Sequence, residues 1–327
     1  MTSSRDGLAF RAASMYYLQD ETMEGVARHL GVSRSTVSRL LAYARSTGLV
    51  RISLNEPGGG DSSARALEKV SGAHVRVVPV RSGATEIHRL EQVAAVAGDV
   101  VSESMTAGAT LGLAWGTTVA EVVRSLSPRV IPDSIVVQLN GAANSEQSGV
   151  PYVDSILRRA ASAFDAQVVH FPVPAFFDYA ATRQALWRER SIMRVLDVQA
   201  RTDMAVFGVG SMNGPVPSQV HQGGYLSAAD RAVLAREGVV ADVCTVFLRS
   251  DGSYGDIDIN QRATGPTPAQ LRTLPHRVLV AAGVAKAQAV AAAIRAKVAT
   301  DIILDDALAR ETVRILASVP TTPTARA

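Results

Sequence analysis

Four stretches of this chain carry residue types able to hold an anion that also bears hydroxyl groups. GLAWGTTVAEVV, residues 112–123, leaves an apolar run through Gly116 and enters a helical pattern at Thr117 and Thr118. The first turn of a helix offers backbone N–H groups without intrahelical acceptors, at the positive end of the helix dipole, and so suits a phosphate. FGVGSMNG, residues 207–214, is a second glycine-rich exit from an apolar run and contains Gly210. VVADVC sets a carboxylate, Asp242, among apolar residues, and AAGVAKAQAV sets an ammonium, Lys286, shortly after a glycine. Each feature alone has a plainer use: a turn, a cap, a solvated lysine. Together they supply an anion nest, a hydroxyl acceptor and a cation, the set a phosphorylated polyol needs. Gln138 and Asn140, in QLNGAAN, add polar contacts or form a turn, and the sequence leaves both open.

A second constellation lies at residues 22–46, TMEGVARHLGVSRSTVSRLLAYARS. Ser33, Arg34, Ser35, Thr36, Ser38 and Arg39 crowd one helical segment, and no Asp or Glu occurs between Gly31 and Asn55. A face that meets phosphates must exclude like charge, because phosphate contacts supply most of the affinity for nucleic acid. The spacing supports that use. Met23, Val26, Ala27 and Leu30 give a first helix one apolar side, Gly31 permits the left-handed turn that ends it, and Ser33 can cap the next. Val37, Leu40 and Leu41 then pack back on the first helix, which is the helix-turn-helix pattern. An ordinary helical hairpin is the plainer alternative.

Composition narrows the field. The chain has 327 residues, 47% of them hydrophobic, and a net charge of +3, so it fits a small module plus one larger globular unit and is no general polyanion binder. The first 56 residues hold 7 basic and 5 acidic side chains, and the remainder 26 and 25, so the small excess is concentrated at the N-terminus. Cys244 is the single cysteine, which excludes an intramolecular disulfide and a cysteine-based metal site and fits a reducing cytoplasm. No targeting segment and no membrane span is expected; the longest apolar run, Val278 to Ala285, stops at Lys286. Asp256 and Asp258 in YGDIDIN would be needed for a recombinase-type metal cluster, but a strand or turn explains them more simply, and neither metal nor cofactor is expected.

The positioning elements follow from periodicity. Residues 6–18 predict a helix that completes a three-helix head, with Tyr16 and Tyr17 as core and rim packing. LVRISL after Gly48 predicts a wing strand that brings Arg51 to a sugar-phosphate edge. EPGGGDSS, residues 56–63, reads as a flexible connector. We therefore expect a winged helix-turn-helix domain over 1–55, a linker over 56–63, a sugar-phosphate-binding and oligomerisation domain over 64–318 and a disordered tail over 319–327. From residue 74 onward, continuous apolar strands alternate with amphipathic helices, including one over 181–199, with β-rich segments near 239–249 and 254–259. This pattern predicts an α/β, Rossmann-like, mainly parallel sheet covered on both faces. In such sheets ligands bind beyond the carboxyl ends of the strands.

The run YYLQDETMEGVARHLGVSRSTVSRLLAYARSTGLVRI resembles the DNA-binding head of the SorC family of sugar-binding bacterial transcriptional regulators. GLAWGTTV, VVQLNGA, FPVPAFF, TDMAVFGVGS, GVVADVCTVFLRSDG and VLVAAGVAKAQAVAAAI follow in the family's order, so the resemblance spans nearly all of 8–316. It implies a domain similar to sugar-phosphate isomerases and glucosamine-phosphate deaminases, used for sensing rather than turnover. It also implies homodimers or homotetramers on double-stranded operator DNA and a phosphorylated sugar or polyol effector. By position, Gly116, Thr117 and Thr118 would hold the phosphate, and Asp242 and Lys286 would face the sugar. One departure stands out. Some relatives bind an aldehyde sugar through a mid-domain lysine, but here the only lysines are Lys69, Lys286 and Lys297. The expectation is a ligand-responsive regulator of a carbohydrate or polyol operon; a catalytically active isomerase or deaminase with a DNA-binding head is the alternative.

Overall fold

The computed structural model describes residues 5–50, 62–144, 149–212, 218–222 and 224–318. The chain divides into two compact units, 1–59 and 60–327.

The first unit is a small helical core. Helix α1 spans Arg5–Ala13 and runs into a wider π turn over Ser14–Leu18; α2 spans Met23–Leu30 and α3 spans Arg34–Ser46. Ala9, Ala12, Val26, Val37, Leu41 and Ala44 form its buried centre. Four of the nine buried residues that make up this centre are alanines in α1 or α3, which lets the helices approach closely. Thr22 caps α2 by accepting from the Gly25 N–H at 3.1 Å. Gly31 ends α2 in the left-handed region at φ 66°, and the Val32 N–H reaches back to the Ala27 carbonyl at 3.0 Å. Tyr16 and Tyr17 sit edge-on, 5.0 Å between centroids, against this core. Of the expected wing, Leu49 and Val50 form a bend rather than a strand, with Val50 packed on the helical core, while 51–54, with Arg51, fall outside the described residues, as do 56–61 of the expected connector and the tail at 319–327.

The second unit begins with α4 (Ser62–Ser71), so Ser62 and Ser63 are helical rather than part of a flexible connector. Its described residues form ten strands, β1 (His74–Val78), β2 (Thr110–Leu113), β3 (Ile135–Gln138), β4 (Gln167–Val169), β5 (Met204–Phe207), β6 (Gly210–Ser211), β7 (Val239–Val243), β8 (Val246–Arg249), β9 (His276–Ala281) and β10 (Asp301–Asp305). Seven form one sheet in the order β1-β10-β9-β5-β2-β3-β4, every pairing parallel. The strands of its centre are buried on both faces because helices cover both, including α5 (Glu86–Ser104), α6 (Thr117–Arg124) and α7 (Val150–Phe164) on one core and α13 (Ala287–Arg295) and α14 (Asp306–Ser318) on the other. This accounts for their unbroken Val, Ile and Leu runs.

Three strands leave that plan. β6, β7 and β8 form a separate antiparallel sheet in which Gly210 faces Asp242. The β-rich segment expected at 254–259 is not a strand. The Asn260 side chain takes the place of a strand partner instead: Oδ1 accepts from the Phe247 N–H at 2.8 Å and Nδ2 donates to the Phe247 carbonyl at 2.9 Å. The helix expected over 181–199 is two, Ala180–Leu186 and Arg190–Ala200. The break at Trp187 lets that ring pack edge-on against Phe171 and Phe177.

Candidate functional site

Four loops at the carboxyl ends of neighbouring strands meet in one cleft. They leave β9, β5, β2 and β3, which are adjacent in the sheet although far apart in sequence. The cleft holds about 660 Å³ including its mouth, and is lined by Gly116, Thr117, Thr118, Asn140, Gly210, Asp242 and Lys286. The structure thus brings together seven of the eight residues that sequence reasoning selected for the effector.

One wall of the cleft is built on α6. Gly116 precedes it at φ 141°, a conformation that favours glycine, and turns the chain so that Thr117 and Thr118 open the helix. Thr118 is buried, and its Oγ1 accepts from Lys286 Nζ at 3.4 Å. The Lys286 stem climbs from a single 3-10 turn, Val284–Lys286, ahead of α13. Burial holds its ammonium below the usual lysine range, against the opposing pull of the Asp242 and Glu86 carboxylates.

The loop that carries Lys286 is itself clasped. Asp305, wholly buried at the end of β10, accepts from the Gly283 N–H at 2.6 Å through Oδ2. Its Oδ1 accepts from Leu308 N–H at 3.1 Å, capping α14, and from Arg89 Nη1 at 3.3 Å. Gly283 has φ 92°, and a Cβ there would strike the Glu86 carboxylate.

Asp242 is 5% exposed and lies across the β6–β7 pair from Gly210. A Cβ on Gly210 would occupy the place of the Asp242 carboxylate and approach the Ser218 hydroxyl to 2.6 Å, so glycine is required for this packing. Asn140 is buried and lines the cleft. Gln138 does not. Its Nε2 donates to the Asn140 carbonyl at 2.8 Å and its Oε1 accepts from the Phe171 N–H at 3.0 Å, so its carboxamide ties two backbone segments together. β3 ends at Gln138, and the turn that follows presents only Asn140.

Sequence reasoning passed over Trp115, Ser211, Ser218, Gln219, Cys244 and Thr245, which also line the cleft. Trp115 was legible within GLAWGTT; it stacks on Tyr225 and donates to the Gly141 carbonyl at 2.8 Å. Burial and the Asp242 carboxylate push the Cys244 thiol far up, so it stays protonated. Among the described residues no group of His, Cys, Asp and Glu side chains is arranged to hold a metal, and no helix is long and apolar enough to cross a membrane.

In the helical unit, α3 presents Arg34, Ser35, Ser38 and Arg39 to solvent, with Thr36 half-buried. Ser33 caps the helix, accepting from the Thr36 N–H at 3.1 Å. The face is less free of carboxylate than α3 alone suggests: Glu24 of α2 pairs with Arg34, Oε1 to Nε 2.8 Å. Arg45 is occupied by Tyr17, donating to its hydroxyl at 2.8 Å.

The comparisons with known proteins agree with this layout. The family model described as "Putative sugar-binding domain" matches residues 62–314, and the model for sigma-70 region 4 matches 14–47. The chain is 29% identical to the deoxyribonucleoside regulator of Bacillus subtilis over 97% of its own length and all of that protein. It is 23% identical to the sorbitol operon regulator of Klebsiella pneumoniae, over 94% of this chain and 97% of that one. Among solved structures, a domain of a sugar-binding transcriptional regulator from Arthrobacter aurescens TC1 is similar with a TM-score of 0.73 and 43% identity, covering 80% of this chain and all of that domain. The full-length sorbitol operon regulator SorC of K. pneumoniae shares the fold at a TM-score of 0.69 and 22% identity, covering 95% of this chain and 100% of that one. With a sugar-binding domain over three quarters of its length, a helix-turn-helix before it and regulators of this kind matching it end to end, the chain belongs to the SorC family of sugar-binding transcriptional regulators.

Proposed function

We propose that this protein is a ligand-responsive transcriptional regulator of a carbohydrate or polyol operon, and that its effector is a phosphorylated sugar or polyol. The observation that carries the proposal is the cleft: a helix N-terminus with Thr118 and the half-buried Lys286 ammonium, lined together with Asp242 and Asn140. The helix N-terminus and the ammonium suit a phosphate, and the carboxylate and carboxamide suit hydroxyls. The B. subtilis and K. pneumoniae relatives are named for deoxyribonucleosides and for sorbitol, which supports a hydroxylated, sugar-type ligand. No lysine occurs between Lys69 and Lys286, so an effector held by a Schiff base from the middle of the domain has no partner here.

In this reading α3 reads operator DNA, with Ser33, Arg34, Ser35, Thr36, Ser38 and Arg39 as the contacting set and Arg51 beyond it. One head covers one half-site, and a homodimer or homotetramer presents two heads about 34 Å apart. An effector that prefers one arrangement by ~1–3 kcal/mol changes operator affinity roughly 5–150-fold. The test is operator binding titrated with a panel of phosphorylated sugars and polyols. The native protein responds to at least one, and Lys286→Ala combined with Thr118→Ala loses the response while still binding DNA. A retained response in that variant would move the effector elsewhere.

Turnover is the second reading, favoured by the closeness of His221 and Asp242, 3.4 Å apart beside the cleft. Acid–base chemistry needs two such groups on opposite sides of a reacting bond, whereas these two stand side by side. Incubation with the same panel, followed by analysis for isomer or released ammonia, decides between sensing and catalysis.

A further inference from the structure

Five buried side-chain polar atoms among the described residues have no hydrogen-bond partner: Asn140 Oδ1, Arg183 Nε, both ring nitrogens of His221, and Asp242 Oδ1. Four of the five belong to the cleft or to the residue beside it. Folded proteins satisfy nearly all such atoms, so a cluster of exceptions in one place marks groups kept for another partner. His221 is the least expected of them. Its side chain is only 7% exposed, on the short helix Gln219–Gln222. The ring is fixed by apolar packing, 5.8 Å from the Phe247 ring, which stacks in turn on Phe176. Its Nε2 stands 3.4 Å from Asp242 Oδ1, close but outside hydrogen-bond alignment. Neither nitrogen makes a hydrogen bond, although Nε2 lies within ion-pair distance of Asp242.

We propose that His221 is a positioning residue of the effector site; this rests on the sugar-phosphate reading above. Asp242 Oδ1, the sealed oxygen, faces His221. When the second carboxylate oxygen accepts a hydrogen bond from an effector hydroxyl, a small rotation brings Oδ1 into line with the Nε2–H. The carboxylate is then held at both oxygens, and its geometry is fixed for a hydroxyl donor. A carboxylate or phosphate at that end of the ligand meets Asp242 with like charge and is rejected. The site therefore divides recognition between neighbouring groups. Gly116, Thr118 and Lys286 take the anion, and Asp242 with His221 selects a neutral hydroxylated carbon chain over an acidic one. Gly210 belongs to the same device, because only glycine leaves room for the carboxylate.

The experiment uses the full-length protein and isothermal titration with two kinds of probe. One is inorganic phosphate. The other is a set of hexose and hexitol phosphates beginning with sorbitol 6-phosphate, from which the tightest binder to native protein is chosen. His221→Leu fills the same space without idle polar atoms, so its melting temperature stays at or above the native value. Its affinity for the chosen polyol or sugar phosphate falls about tenfold or more, the loss of one hydrogen bond to a charged group, while its affinity for inorganic phosphate is unchanged. His221→Gln, which keeps an N–H at similar reach, recovers most of the loss. The proposal is overturned if His221→Leu binds the sugar phosphate as the native protein does. A parallel fall for inorganic phosphate, or no recovery with glutamine, overturns it too, because His221 would then be a general structural prop. Failure of the sugar-phosphate reading is seen separately: the native protein itself then binds no member of the set, and this proposal falls with it.

Discussion

Replacing Asp305 by alanine should weaken the effector unit and loosen its grip on ligand at the same time. The carboxylate is fully buried and serves three donors: Gly283 N–H at 2.6 Å, Leu308 N–H at 3.1 Å and Arg89 Nη1 at 3.3 Å. Alanine leaves two backbone N–H groups without acceptors and a guanidinium, 14% exposed, without its counter-ion. Breaking a buried pair by removing one partner costs about 3–5 kcal/mol, and that includes roughly 1 kcal/mol for the lost cap of α14. In a domain of this size each kcal/mol lowers Tm by roughly 2–4 °C, so a fall of roughly 6–20 °C is expected. Both tryptophans, Trp115 and Trp187, lie in the effector unit, so their fluorescence follows its unfolding without interference from the head. Asp305→Asn keeps one acceptor and should lose about half as much. Arg89→Met, which strands the carboxylate instead, should cost a similar amount, and the double variant less than the sum of the two, because each single change strands the other's partner. The Gly283 amide is the tether of the loop that carries Lys286, so effector affinity falls with stability. A Tm change worth less than about 1 kcal/mol would refute the buried-clasp account. A large Tm change with native effector affinity would refute the tether.

Three further outcomes are expected. Because burial lowers the Lys286 ammonium below its ordinary 10.5, an anionic effector should draw a proton onto it, so affinity falls as pH rises through the lowered pKa; calorimetry in buffers of different ionisation heat should show proton uptake. In the same window, up to 10.5, the unfolded chain holds a proton that the folded one does not, so this lysine's contribution to stability rises with pH, and Lys286→Met should abolish both effects. Gly210→Ala should sharply reduce effector affinity while DNA binding without effector is kept, since the new methyl takes the place of the Asp242 carboxylate; titration of that variant showing native affinity would refute the packing argument. Arg39→Ala should cost about 1–3 kcal/mol of operator affinity if it reads a base, whereas Glu24→Gln, which frees Arg34, should strengthen binding to non-operator DNA with a steeper salt dependence; both are measured by fluorescence anisotropy across a salt series.

Much of this was legible in the residues. The helix-turn-helix was written in local spacing: Gly31 at positive φ, Ser33 as cap and Val37 in the core each follow from chemistry within a dozen residues. The strands of the large sheet were legible because burial on both faces demands apolar runs. Their order was not, since nothing in a parallel strand names its neighbour, and the β6–β8 sheet was hidden because two-residue β6 has no period to detect. Within the cleft, Gly116, Thr118 and Lys286 were found by their place after strands. Of the two uses the sequence left open for Gln138, the structure shows the backbone-tying one, because residues two apart share a face only while the strand continues, and β3 stops there. The closeness of His221 to Asp242 was not legible, because no spacing fixes the geometry of two residues twenty-one positions apart.

The position of β1 has a consequence for the chain as it is made. Among the described residues β1 is an edge strand paired with β10 alone, in register from His74 with Asp301 to Val78 with Asp305. Roughly 220 residues separate the two, and at about 5–20 residues per second a ribosome needs roughly 11–45 s to cross that distance. Throughout that interval the helix-turn-helix already exists, while the strand that follows it in sequence waits unpaired and Asp305, which clasps the Lys286 loop, has yet to be synthesised. Ligand control is therefore a property of the finished polypeptide alone: a product that terminates before Asp301 carries a head without a working sensor.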